Sequence, residues 1–220
     1  MRRRLLPLGC GALLLAAFVL LGVLAAAGPI GPDATVADVL RGEWRRPPGT
    51  VAAVVSVLLG PATPVAAAVL LLAGVALAYR RADRWLLGVL LRCFVVGVAC
   101  RLVSVLKLAF DRRRPRLYPD FSYPSGHVVS VATTAFVAIL LCLWLAQRLL
   151  PLVITLAVFA VLVCAAARLV LGVHWVTDTV GATLGVTGVG LLVADALGLL
   201  PVTARQRIEA PKAPDASAVE

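Results

Sequence analysis

Apolar runs of about twenty residues recur along most of this chain, and they constrain its fold more than any single residue does. A helix of about 20 residues crosses a hydrocarbon core of about 30 Å, and nearly uncharged runs of that length extend from Leu5 to Leu200. Of 220 residues, 61% are hydrophobic and 15% charged, with a mean hydropathy of +1.00, which excludes an ordinary soluble domain. Backbone groups in lipid must be bonded internally, and Leu/Val/Ala runs without alternation point to helices rather than a barrel. The chain reads as an all-α, polytopic membrane protein with six spans, at about 8–27, 62–79, 86–107, 127–147, 150–168 and 179–199.

Short connections predict one membrane domain over residues 1–200, followed by a polar tail from 201 to 220 that reads as disordered and cytoplasmic. The uncharged stretch from 47 to 79 exceeds one span and is interrupted by Gly60-Pro61-Ala62-Thr63-Pro64, so a separate helix over Val51 to Leu59 is preferred to one kinked span. Arg2-Arg3-Arg4 precedes an apolar run to Ala27, too long for a signal peptide, so an uncleaved first helix is expected.

Basic residues near span ends set orientation. Arg2 to Arg4, Arg80, Arg81, Arg84, Arg148, Arg205 and Arg207 fall on one side, while Lys107, Arg112 to Arg114, Arg116, Arg168, Arg41, Arg45 and Arg46 fall on the other. The count alone nearly ties, and the tie breaks if the second set has another task. Both termini are then cytoplasmic. The net charge of +10 is confined to short loops, which favours anionic headgroups over nucleic acid as partner. Cys10, Cys93, Cys100, Cys142 and Cys164 lie in apolar runs and read as small buried hydrophobes, with no disulfide or metal framework.

Three polar clusters break the apolar pattern, and they contain both histidines of the chain. In the third, His174 and Asp178 are four residues apart and share a face if helical, so that a carboxylate on one ring nitrogen leaves the other free to attack. A structural polar pair fits those two residues equally well. In the second, Pro124-Ser125-Gly126-His127 opens an apolar helix with a Ser cap, a Gly that admits an oxyanion to the backbone and a His in the first turn. In the first, Lys107 and Arg114-Pro115 offer a point charge and a rigid fork for phosphate oxygens. Arg112, Arg113 and Arg116 read as cations snorkelling to the headgroup layer. Arg92 and Arg101, inside the third span, are left out of the site.

Taken together, these residues resemble the type 2 phosphatidic acid phosphatase (PAP2) superfamily, whose signature is Lys-x6-Arg-Pro, Pro-Ser-Gly-His and Ser-Arg-x5-His-x3-Asp. Lys107, Arg114 and Pro115 match the first motif, Pro124 to His127 the second, and Arg168, His174 and Asp178 the third. The resemblance implies a PAP2-like helix bundle over about 86–199 and a lipid phosphatase working through a phosphohistidine. His174 would be the nucleophile, Asp178 its orienting partner and His127 the acid, with Lys107, Arg114, Ser125, Gly126 and Arg168 holding phosphate. One departure stands out: Ala167 occupies the place of the usual Ser, removing a hydroxyl beside Arg168.

No cofactor or metal is expected, since Asp111, Asp120 and Asp178 are too scattered for a Mg site. The substrate class that follows is an amphiphile with a phosphate or diphosphate head, such as undecaprenyl diphosphate, phosphatidylglycerol phosphate or phosphatidic acid, met at the extracytoplasmic face. The loop from Gly28 to Thr50, with Trp44 and Arg45-Arg46, reads either as a cover for the site or as an interfacial anchor. A phosphoryl or headgroup transferase and a non-catalytic lipid-binding or translocating protein are the alternative functions. Oligomeric state is not legible.

Overall fold

The computed structural model describes residues 2–200, with side chains from Leu6 onward; the expected tail lies outside the described residues. The described chain is helical, in the order α1 (Arg2–Ala26), α2 (Asp33–Val39), α3 (Pro47–Leu58), α4 (Ala62–Arg80), α5 (Arg84–Leu102), α6 (Lys107–Phe110), α7 (Gly126–Leu145), α8 (Leu150–Val170) and α9 (Val176–Ala196). Six segments are long and apolar enough to cross a membrane: Leu6–Ala26, Pro47–Arg80, Arg84–Phe110, Gly126–Leu145, Gln147–Val170 and Val176–Ala196.

The interruption expected near Gly60 is present, because α3 ends at Leu58 and α4 begins at Ala62. The Thr63 hydroxyl donates to the Gly60 carbonyl at 2.9 Å across it, which bonds a carbonyl freed by the prolines. α3 is no appendage, since it packs along α8. The third span is not one regular helix: a 3-10 turn over Val103–Leu106 separates α5 from the single turn of α6, and Asp111 ends it at φ 45°. The α4–α5 turn closes at Asp83, whose carboxylate accepts from the Leu86 N–H at 2.9 Å.

The bundle centres on α9, which touches α1, α5 and α7. Its glycines permit this. A Cβ on Gly188 would meet the Leu15 backbone nitrogen at 2.9 Å, so α1 and α9 approach more closely there than any side chain allows. At Gly181 the space is filled by Tyr123, which stacks on Phe18 at 5.4 Å and donates its hydroxyl to the Phe18 carbonyl at 2.5 Å. Phe18, Val96, Tyr123, Val128, Leu140 and Val186 form the buried centre, whereas Leu13, Leu70, Phe159 and Leu162 face outward. Such outward apolar faces suit lipid rather than water. Four of the five cysteines are buried as expected, but Cys10 is exposed on α1, because its run presents it to the outer face.

Candidate active site

The polar clusters meet at one end of the bundle, because the end of α6, the start of α7, the end of α8 and the start of α9 all lie there. The Ser125 N–H donates to the Asp178 carbonyl at 3.2 Å, joining the second cluster to the third. Lys107 reaches Gly126, where a Cβ would stand 3.9 Å from its Nζ. Arg114 reaches His174, with Nη1 3.3 Å from Nε2.

His174 is not on the helix. It sits in the turn before α9, and the i, i+4 helical face expected for His174 and Asp178 is replaced by a helix-start geometry. Asp178 lies in the first turn of α9, and its Oδ2 accepts from the Trp175 N–H at 2.8 Å while standing 3.2 Å from His174 Nδ1. The pair forms because a carboxylate there folds back over the residues before the helix. With Nδ1 toward the carboxylate and Nε2 toward Arg114, the geometry assigns the Nδ1–H tautomer. Burial pushes the imidazole pKa down to about 3, opposed by Asp178 and assisted by the Arg114 and Arg168 cations. The ring is therefore a neutral base whose Nε2 lone pair accepts from Arg114.

The cations are held from behind. The Phe121 carbonyl accepts from Lys107 Nζ at 3.0 Å and from Arg114 Nη2 at 3.1 Å, which sets the two side by side. Arg114 also donates to the Val173 carbonyl at 2.8 Å and the Asp120 carbonyl at 2.9 Å. The Asp120 carboxylate lies 2.9 Å from Lys107 and 3.4 Å from Arg114, although it is 54% exposed. Burial raises its pKa, but the hydrogen bond and charge of Lys107, with Phe121 N–H and Arg114, outweigh it and leave the carboxyl below its usual range. Burial, only partly offset by Asp120, also lowers the pKa of Arg114.

Ser125 stands at the residue before α7 as expected, but its hydroxyl makes no capping bond. It is fully buried and has no protein partner among the described residues, as is Arg168 Nε. Buried donors without partners are rare, and these two belong to a cluster of cations. His127 lies in the first turn of α7 against the α3–α4 junction, where a Cβ on Gly60 would meet its Nε2 at 3.4 Å.

Two contributors carry no signal in the sequence. Ser56, on α3, accepts from Arg168 Nη1 at 2.6 Å. Asp33, at the start of α2, accepts from Arg112 Nη2 at 2.6 Å, from the Thr177 N–H at 3.0 Å and from the Thr177 hydroxyl at 2.7 Å. Arg112 itself corrects an expectation: it is 2% exposed rather than snorkelling, because two carboxylates hold it, Asp33 and, at 2.5 Å, Asp178. Arg113 is exposed, and Arg116 stacks on Trp44 with its guanidinium 4.2 Å from the ring centroid. The Gly28–Thr50 loop forms a wall of the site, since Asp33 and Trp44 line, with Arg116, His174 and Trp175, a cleft of about 300 Å³. Arg101 faces a separate groove with Phe94 and Thr133, and Arg92 is exposed.

Residues 88–197 match the family model described as the PAP2 superfamily. A solved structure, the first transmembrane PAP2 type phosphatidylglycerolphosphate phosphatase from Bacillus subtilis, superposes with a TM-score of 0.68 at 22% identity, covering 87% of this chain and 98% of that one. The curated proteins contain no match to this chain.

Proposed function

The chain belongs to the PAP2 superfamily, and on that premise we propose that it is a membrane phosphatase acting on a lipid phosphate or diphosphate. One observation carries the reading. A neutral imidazole, oriented by Asp178 at 3.2 Å, turns its unprotonated Nε2 toward Arg114 at 3.3 Å, beside the buried and unpartnered donors Ser125 Oγ and Arg168 Nε. A nucleophile surrounded by cations and spare donors suits a dianionic electrophile.

His174 Nε2 attacks phosphorus in line, and the bond to the lipid oxygen breaks as His127 delivers a proton to it. The imidazolium so formed keeps its Nδ1 proton on Asp178. Lys107, Arg114 and Arg168, with Ser125 and the backbone at Gly126, hold the equatorial oxygens. Water then attacks the phosphohistidine with His127 as base and releases inorganic phosphate. The groups that face phosphate are cations and N–H or O–H donors, which perform this chemistry without a divalent metal. The domain spans 1–200, with both termini cytoplasmic and the site at the extracytoplasmic face; the engagement of Lys107, Arg112, Arg114 and Arg168 in the site supports this orientation, because it removes them from the count of basic residues. Phosphatidylglycerol phosphate, phosphatidic acid and undecaprenyl diphosphate are the substrates to examine.

The test is phosphate release from that panel by wild type and His174→Ala in detergent. Wild type releases phosphate and the variant does not. Equal rates for both proteins on every lipid would remove the reading, and label transferred to an added alcohol instead of water would make the protein a transferase.

A further inference from the structure

Asp33 lies outside residues 88–197, the part of the chain that matches the family model, yet it is only 1% exposed and reaches the centre of the site. It forms a buried line with Arg112, Asp178 and the neutral ring of His174. Asp33 Oδ2 takes Arg112 Nη2 at 2.6 Å, Arg112 Nη1 donates to Asp178 Oδ1 at 2.5 Å, and Asp178 Oδ2 faces His174 Nδ1 at 3.2 Å. Thr177 locks the line: its hydroxyl accepts from Arg112 Nη1 at 2.7 Å and donates to Asp33 Oδ2 at 2.7 Å. Burial works against ionisation of Asp33, but its bonds from Thr177, Arg112 and the Ile30 N–H prevail and hold its pKa below the usual carboxylate range.

An arginine bonded to the orienting carboxylate poses an electrostatic problem. As the Nε2–P bond forms and the P–O bond to the lipid breaks, with the lipid oxygen taking its proton from His127, the His174 ring becomes cationic. A neutral Arg112–Asp178 pair compensates that charge poorly, and in a buried site little solvent screens the difference. Two carboxylates and one guanidinium together carry a net charge of minus one. We infer that Asp33 is a positioning residue for phosphoryl transfer: it neutralises Arg112, so that Arg112 fixes the geometry of Asp178 without cancelling the negative charge His174 needs. This role rests on the phosphatase reading, and it makes the loop before α3 part of the catalytic apparatus.

The charge logic predicts a reversal that simple scaffolding does not. In the full chain in detergent, with dioctanoyl phosphatidic acid as substrate, Asp33→Asn lowers kcat by about tenfold or more while KM changes by less than about threefold. Adding Arg112→Gln to Asp33→Asn removes the uncompensated cation and raises kcat above that of the single variant. Sodium orthovanadate, which becomes five-coordinate when His174 Nε2 adds to it and so mimics the transferring phosphoryl group, gives a readout independent of turnover: its Kd, from thermal shift, rises in Asp33→Asn and recovers in the double variant. If wild type binds vanadate but hydrolyses none of the lipids, the phosphatase reading falls and the vanadate series alone decides the role of Asp33. If Asp33→Asn does not fold, the double variant is compared with wild type, where a kcat or vanadate affinity within about thirtyfold supports the role and a larger loss overturns it. Wild-type kcat and vanadate affinity in Asp33→Asn, or a double variant worse than the single in both, would also overturn it.

Discussion

Arg168, near the end of α8, donates a hydrogen bond at 2.6 Å to the hydroxyl of Ser56, which comes from α3, 112 residues earlier. The sequence places Ala167 where the PAP2 signature has Ser, and Ala167 is itself buried. The structure therefore provides the guanidinium with a hydroxyl from another helix. A hydrogen bond to a charged group contributes about 1.5 to 3 kcal/mol.

Ser56→Ala should thus raise KM for a lipid phosphate by about tenfold to a hundredfold, by the same bond energy. Adding Ala167→Ser returns a hydroxyl to the neighbourhood of Arg168 and should recover part of the loss. Steady-state phosphate release by the two variants checks this, and an unchanged KM in Ser56→Ala would mean that Arg168 needs no support.

On the proposed reading, Asp120 competes with phosphate for Lys107 and Arg114. Its carboxylate bonds Lys107 at 2.9 Å while remaining half in solvent, so an incoming phosphate must displace it. Asp120→Asn should lower KM and leave kcat nearly unchanged, because uniform binding rather than transition-state binding is altered. Since the Asp120 pKa lies below its usual range, the competition should be constant between pH 5 and 8. Kinetics of the variant across that range would show a higher KM if Asp120 instead helps to place Lys107.

His174 makes stability depend on pH. Burial lowers its pKa from 6.5 in the unfolded chain to about 3, so between those values the unfolded state binds more protons. Stability contributed by the neutral ring is complete above about pH 6.5 and declines as pH falls toward about 3. Thermal unfolding of wild type and His174→Asn in detergent should diverge in slope over that window, with the variant less acid-sensitive. If His174 is the nucleophile, it stays neutral at pH 5 to 7, so its protonation sets no acid limb of kcat/KM in that range.

Gly181 leaves room for the Tyr123 ring, and any larger residue there collides with it. Gly181→Ala should cost about 1 to 3 kcal/mol as an overpacked core contact. Because Tyr123 precedes Pro124-Ser125, the same change should reduce kcat as well as Tm. Thermal unfolding and phosphate release measured together would separate this from a change confined to the lipid-facing surface, which alters neither.

Phosphate held by guanidinium, ammonium and N–H donors needs no bridging cation. Phosphate release by the purified protein should therefore persist in EDTA. Activity that vanished with EDTA and returned with Mg would overturn this mechanism.

Local pattern is enough to reveal the helical membrane class, the six spans to within a few residues except where α3 precedes α4 in the second, and the pairing of His174 with Asp178: apolar run length, proline interruption and motif spacing carry each. Local pattern also singled out Lys107, Ser125 and His127, which stand at the start of a helix, and Arg114, which stands in the loop after α6. Tertiary structure alone decided that Arg112 is buried, that Asp33 neutralises it and that Ser56 supplies the hydroxyl missing at Ala167. These are contacts between residues 66 to 112 positions apart in the chain, as with Arg112–Asp178 and Arg168–Ser56. A lone acid in a loop or a lone serine in an apolar helix carries no periodicity to reveal its partner. Only packing, which excludes water and leaves a buried charge or donor to be satisfied, selects which distant group completes the site.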